Sequence, residues 1–126
     1  TVEDLMLIGK KIPFINENEN MKKALNIITK KNLGTLIAVN NKNHTTGIIT
    51  DGQIRRKTTE IDNIYNKKVK DIMTKKPISV SKDTLALKAL SIMNNKKITS
   101  LRVLDSKNKN KTIGIIHIHN ILSNTS

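Results

Sequence analysis

Three short clusters carry the side chains best suited to chemistry. Thr50-Asp51-Gly52-Gln53 sets a hydroxyl, a carboxylate and an amide where an apolar run gives way to a polar one. A strand handing over to a helix there offers free backbone N–H groups beside the hydroxyl, which suits a ribose or phosphate oxygen; the same threonine is equally placed to be a plain helix cap. Arg55 and Arg56 follow, two of only 3 arginines against 20 lysines. Planar, bidentate holding of a carboxylate or phosphate is what arginine does better than lysine. Neighbouring side chains on a helix diverge by about 100°, so one of the two can face a ligand while the other is left for a salt bridge to another part of the protein. The third cluster is His117-Ile118-His119-Asn120. Read as a strand end, it puts both imidazoles on one face, where one can donate to an anion and the other is structural; no third ligand lies nearby for a metal. Thr35 and Thr99-Ser100 add hydroxyls at the starts of apolar stretches, and His44 lies in a polar turn as a solvated residue.

These residues do not assemble an enzyme. No Ser-His-Asp set, no paired carboxylates and no P-loop can be built from the 10 scattered acidic residues and their neighbours. No catalytic residue and no metal ligand is therefore assigned. The absence of Cys excludes disulfide frameworks, thiolate zinc sites and cysteine nucleophiles, and is compatible with the cytoplasm.

The formal net charge of +13 raises nucleic acid as a partner. Its make-up argues otherwise. The 20 Lys, 16 Asn and 20 Ile are 56 of 126 residues, the pattern of a base-biased genome rather than of a selected surface. With 3 Arg, no Trp, 1 Tyr and 1 Phe, the chain lacks the groups that read base edges or stack on bases. Apolar runs such as Leu36-Ile37-Ala38-Val39 stop at four residues, where a membrane span needs about 20.

What positions the clusters is an internal repeat. Asp4-Leu5-Met6 returns as Asp71-Ile72-Met73, and Pro13-Phe14-Ile15 as Pro77-Ile78-Ser79. Met21, Ala24, Leu25 and Ile28 return 65 residues on as Ala86, Ala89, Leu90 and Met93, in the i, i+3, i+4, i+7 spacing of a helix with one buried face. Asn20 and Asp83 stand where caps are expected. Then come an apolar strand (Thr35–Val39; Ser100–Leu104), a polar turn, a strand opening with glycine (Gly47–Thr50; Gly114–His117) and a short helix (Gln53 to about Thr58; Asn120 to Ser123). The expectation is an α/β chain of two pseudo-symmetric repeats, β-α-β-β-α each, spanning residues 1–60 and 71–126 and joined by a polar connector at 61–70. Sixty residues bury too little surface to stand alone, so the repeats are expected to pack as one pair with a ligand cleft shared between them.

Two copies of D-[LI]-M…P…A-L…[LI]-x-[TS]-L-x-V…G-I-I-x resemble a tandem pair of CBS domains, the regulatory module that binds nucleotides and related anions. Lys31-Asn32-Leu33-Gly34, Thr50 to Arg56, Ile98-Thr99-Ser100 and His117 to Asn120 resemble more narrowly the C-terminal CBS pair of bacterial arabinose-5-phosphate isomerases. The resemblance implies a parent enzyme whose upstream sugar isomerase (SIS) domain interconverts ribulose 5-phosphate and arabinose 5-phosphate for the lipopolysaccharide sugar Kdo. No such domain is present here, and the start at Thr1 suits a fragment, so the chain itself is expected not to be an enzyme. It implies no obligatory cofactor, a small anionic ligand (CMP-Kdo, CMP or an adenine nucleotide), a cytoplasmic setting and a homodimer. Many CBS motifs follow the hydroxyl three residues on with an Asp that holds ribose. Here Gln53 and Asn120 stand in that place, and His117 replaces the second hydroxyl, which favours a different or more anionic ligand and equally allows one half-site to be empty. Two rival readings stay open: a purely structural or oligomerisation module, and a basic nucleic-acid binder.

Overall fold

The computed structural model describes residues 1–31, 33–60 and 62–124. Asn32 of the Lys31–Gly34 motif, Ile61 of the expected connector and the last two residues lie outside them. The chain divides into two compact units, Pro13–Pro77 and Thr1–Ile12 with Ile78–Ser126. Each realises the β-α-β-β-α order expected from the repeat.

In the Pro13–Pro77 unit, β1 (Phe14–Asn16) runs parallel to β2 (Thr35–Val39) after the crossover through α2 (Met21–Lys31). A parallel neighbour needs such a crossover, and α2 buries Met21, Ala24 and Ile28 along one face while doing so. Its start is capped by Asn20, whose side-chain oxygen accepts from the Lys23 N–H at 3.0 Å. β3 (Thr45–Thr50) returns antiparallel beside β2, with Thr35 opposite Thr50, and leads directly into α3 (Asp51–Thr58). All five residues of β2 are buried. A short helix, α4 (Val69–Ile72), then brings β4 (Thr74–Lys75) against the free edge of β3. The core joins Ile15, Met21, Ala24, Ile28, Leu36, Ala38, Ile49 and Ile54 to Ile64, Val69 and Ile72. The stretch expected as a connector thus supplies core residues at Ile64 and Val69. It is also tied by backbone hydrogen bonds from Val69 to Glu19 and from Lys70 to Glu17. Its apolar residues are too few and too unevenly spaced to show a helical or strand period.

The other unit repeats the plan with β5 (Ser79–Ser81), α5 (Ala86–Lys96), β6 (Ser100–Leu104), β7 (Thr112–His117) and α6 (Ile118–Leu122). β5 is parallel to β6, and β6 antiparallel to β7 with Ser100 opposite His117. Both repeats shift register at the same place, between Ala38 and Val39 and between Val103 and Leu104. Here the N-terminal segment does what α4 and β4 do in the first unit. α1 (Val2–Leu5) buries Val2 in the core, and Leu7 pairs with Ile115 on the outer edge of β7. Asp83 does not cap α5: the cap position is Leu85, with no side-chain hydrogen bond.

The glycines also differ from expectation. Gly47 and Gly114 do not open their strands; each is the third residue, facing Met73-Thr74 and Met6-Leu7 respectively. No helix among the described residues is long and apolar enough to cross a membrane.

Candidate functional site

The end of β3 builds the first repeat's site. Thr50 has extended backbone angles, and its side-chain oxygen accepts from the Gln53 N–H at 3.3 Å, capping α3. Removing that cap has a defined expectation: Thr50→Ala should lower unfolding free energy by about 1 kcal/mol, as read by urea denaturation, whereas Thr50→Ser should lose little.

Gln53 points inward and is only 6% exposed. Its amide nitrogen donates to the Ile72 carbonyl at 2.6 Å, which orients the group and turns the amide oxygen away from that contact. That oxygen, Gln53 Oε1, has no partner among the described residues, and neither has the buried hydroxyl of Thr35, the residue opposite Thr50. Each unmade hydrogen bond costs about 1–3 kcal/mol unless a ligand or water completes it. Gln53 lines a cavity of about 440 Å³ with Arg56 and Lys57 from α3 and Glu60 just beyond it, facing the segment Asp71–Thr74. Gln53, Arg56 and Lys57 recur at i, i+3 and i+4, one face of α3. Arg55 falls off that face, is exposed and does not line the cavity. The site therefore offers one buried neutral acceptor and two cations at a cavity wall, with two carboxylates at its margin.

The second repeat arranges its residues differently. His117 caps α6, its Nδ1 accepting from the His119 N–H at 3.1 Å, while its own N–H donates to Asn120 Oδ1 at 2.9 Å. His119 lies in the helix rather than along the strand, and the two rings stack with centroids 4.8 Å apart. Burial, and next the charge of His119, hold the His117 imidazole below its usual value. Ser100 is buried opposite His117, Thr99 is exposed, and its carbonyl accepts from the Ile118 N–H at 2.8 Å. Where Gln53 leaves an acceptor open, Asn120 spends its own on the helix start. No cluster of three or more potential metal ligands occurs among the described residues.

One residue escaped the sequence reading. Arg102 is 6% exposed in the middle of β6. Its guanidinium donates to Thr112 Oγ1 at 2.7 Å, Ser79 Oγ at 3.1 Å and the Lys109 carbonyl at 2.6 Å. All three are neutral, and no ion pair to Arg102 occurs among the described residues. Burial pulls its pKa down. The signal was present: it is the third arginine, set between Leu101 and Val103 where the other repeat has Ile37.

Comparison with known proteins adds family and fold. A family model described as CBS domain matches the chain twice, over residues 2–60 and 69–125. The chain is similar to arabinose 5-phosphate isomerase KdsD of Francisella tularensis, 37% identical over 122 residues that are 96% of this chain and 36% of that protein. KdsD of Escherichia coli K12 is 32% identical over 121 residues, again 96% of this chain and 36% of the isomerase. The chain thus spans little more than a third of these curated relatives. Among solved structures, CBSX2 in complex with AMP superposes with a TM-score of 0.82 at 24% identity, covering 98% of this chain and 93% of that one. The CBS domain pair of protein MJ0100, in complex with 5′-methylthioadenosine and S-adenosyl-L-methionine, gives 0.81 at 23%, covering 97% and 92%. The same fold is shared by all three chains.

Proposed function

Because this chain belongs to the CBS-domain family, as a tandem pair, we propose that it is the ligand-sensing part of a D-arabinose 5-phosphate isomerase. Catalysis then resides in a sugar isomerase domain outside this chain, and the pair reports a nucleotide or nucleotide sugar to it. The likeness to KdsD over 96% of the chain supports the parent enzyme. The ligand class rests on one observation above all: the unpartnered, buried Oε1 of Gln53, a residue that lines a cavity together with Arg56 and Lys57.

An acceptor of this kind calls for a donor, such as a sugar hydroxyl or an exocyclic amine, and the two cations call for a phosphate or carboxylate. AMP, CMP and CMP-Kdo all carry both, and CMP-Kdo, as the activated end product of the Kdo route, suits feedback. The bound adenosine compounds of the two solved CBS structures support a nucleoside ligand in general. A ligand of this sort acts on the enzyme only through unequal affinity for two arrangements of the whole protein.

A thermal-shift and calorimetric screen with CMP-Kdo, CMP, AMP and ATP tests the reading. At a hundredfold excess over Kd the ligand that fits should add about 2.7 kcal/mol to stability. Arg56→Ala, an exposed position, should weaken binding about tenfold or more while leaving the free protein's melting temperature in place. No shift with any of the four would favour a structural role for the pair.

A further inference from the structure

We infer that His117 is a pH-operated cap: as the neutral imidazole it holds the start of α6, and on gaining a proton it releases it. The internal repeat supplies the comparison. At the matching junction of the first repeat the cap is the Thr50 hydroxyl, 3.3 Å from the Gln53 N–H, a group that does not titrate. In the second repeat the acceptor is His117 Nδ1, 3.1 Å from the His119 N–H. A ring nitrogen accepting from a backbone N–H has its lone pair committed, so the proton of the neutral ring sits on Nε2. The imidazolium has no acceptor left. A proton on Nδ1 would point at the proton of the His119 N–H, and the cap would turn from a bond into a repulsion.

Two further features make the junction sensitive. The rings of His117 and His119 stack with an interplanar angle of 24°, so charge on either opposes charge on the other. The helix itself is short, Ile118–Leu122, with Ile121 as its buried anchor. Loss of the cap leaves the reciprocal bond from the His117 N–H to Asn120 Oδ1 to hold its first turn.

Among the described residues, the elements packed around His117 offer it no compensating anion. β6 sets the uncharged Ser100 opposite it, and the one charged residue of β6, Arg102, is turned to Thr112 and Lys109. The outer edge of β7 carries Leu7, and α5, packed on α6, bears the exposed Lys88 and Lys96. His119 is the group whose charge acts on His117. The folded protein therefore binds this proton more weakly than the unfolded chain does. The cap's contribution is complete above the ordinary histidine value of 6.5 and is lost as pH falls from there through the lowered folded value. Thr50 at the equivalent place responds to neither.

Imidazole nitrogen NMR on the wild-type chain and melting curves between pH 8 and pH 5 on wild type and His117→Asn test this. Asparagine caps helices without titrating. The expected results are an Nε2–H tautomer for His117, a midpoint below that of an unperturbed histidine, and a fall in melting temperature on acidification that His117→Asn makes shallower. His119→Gln should raise the His117 midpoint. An Nδ1–H tautomer, a midpoint at or above the ordinary value, or an unchanged pH profile in His117→Asn would each overturn the inference. Should His117→Asn not fold, the tautomer and midpoint of the wild-type ring decide it alone.

Discussion

Gly47→Ala should destabilise the chain by about 1–3 kcal/mol, lowering its melting temperature by roughly 4–11 °C in a scanning calorimeter. A Cβ at this position would lie 2.6 Å from Met73 Sδ, 2.7 Å from its Cγ and 2.9 Å from the Thr74 carbonyl oxygen. The thioether can swing aside, but the carbonyl belongs to β4, whose Thr74 is paired with Ile48, so the backbone itself must give. The opposing effect is the loss of unfolded-state freedom on replacing glycine, which stabilises by only about 0.4–1 kcal/mol. Steric cost wins. Gly114→Ala should cost less, because there the added carbon would meet Met6 Sδ at 2.5 Å but the Leu7 carbonyl only at 3.1 Å. Trimming the methionine in the double variant Gly47→Ala/Met73→Ala should recover part of the loss that is due to the side chain and none that is due to the carbonyl. A Gly47→Ala protein as stable as wild type would mean that β4 does not sit against β3 as described.

Arg102 is the second. Arg102→Ala should cost about 1–3 kcal/mol in chemical denaturation, while Arg102→Met should match or exceed the wild type. The guanidinium makes three hydrogen bonds, each of the charged kind that contributes about 1.5–3 kcal/mol. Against them stands the cost of holding a cation out of water with no anion beside it, several kcal/mol by the same reasoning. The two nearly offset, which leaves the volume of the side chain as what β6 loses on truncation. Methionine restores most of that volume without the charge. Of the groups it would leave behind, Ser79 and Thr112 have further partners, and Lys109 lies in an exposed turn where water can serve its carbonyl. Equal destabilisation by Met and Ala would show that the hydrogen bonds, and not the packing, carry the contribution.

Much of the fold was legible because it is written in local spacing. The i, i+3, i+4, i+7 series from Met21 to Ile28 and its copy from Ala86 to Met93 mark the two long helices, and the uniformly apolar Leu36–Val39 marks a strand buried throughout. Asn20 was readable as a cap because its bond spans three residues; Asp83 was misread because the same local sign admits a helix starting two residues later, uncapped, after Leu85. The candidate site was legible in its membership and not in its working. Gln53 and Arg56 could be named, but not that the Ile72 carbonyl, 19 residues on, claims one end of the Gln53 amide and leaves the other open.

By itself the sequence determined the repeat, and with it the α/β class, the order of elements and the two strand-to-helix junctions, since each follows from residue period and from types at short range. Only the tertiary structure decided which chemistry each junction retains. Thr50 and His117 occupy matching places, yet one repeat ends with a buried, unpartnered acceptor on a residue that lines a cavity, and the other with His117 Nδ1 and Asn120 Oδ1 both bonded to the backbone at the start of a capped helix. It also decided that Met6 and Met73 lie against the glycines of β7 and β3, and that a lone arginine spans three strands. Those outcomes depend on contacts between segments far apart in the chain, and no short-range pattern encodes them.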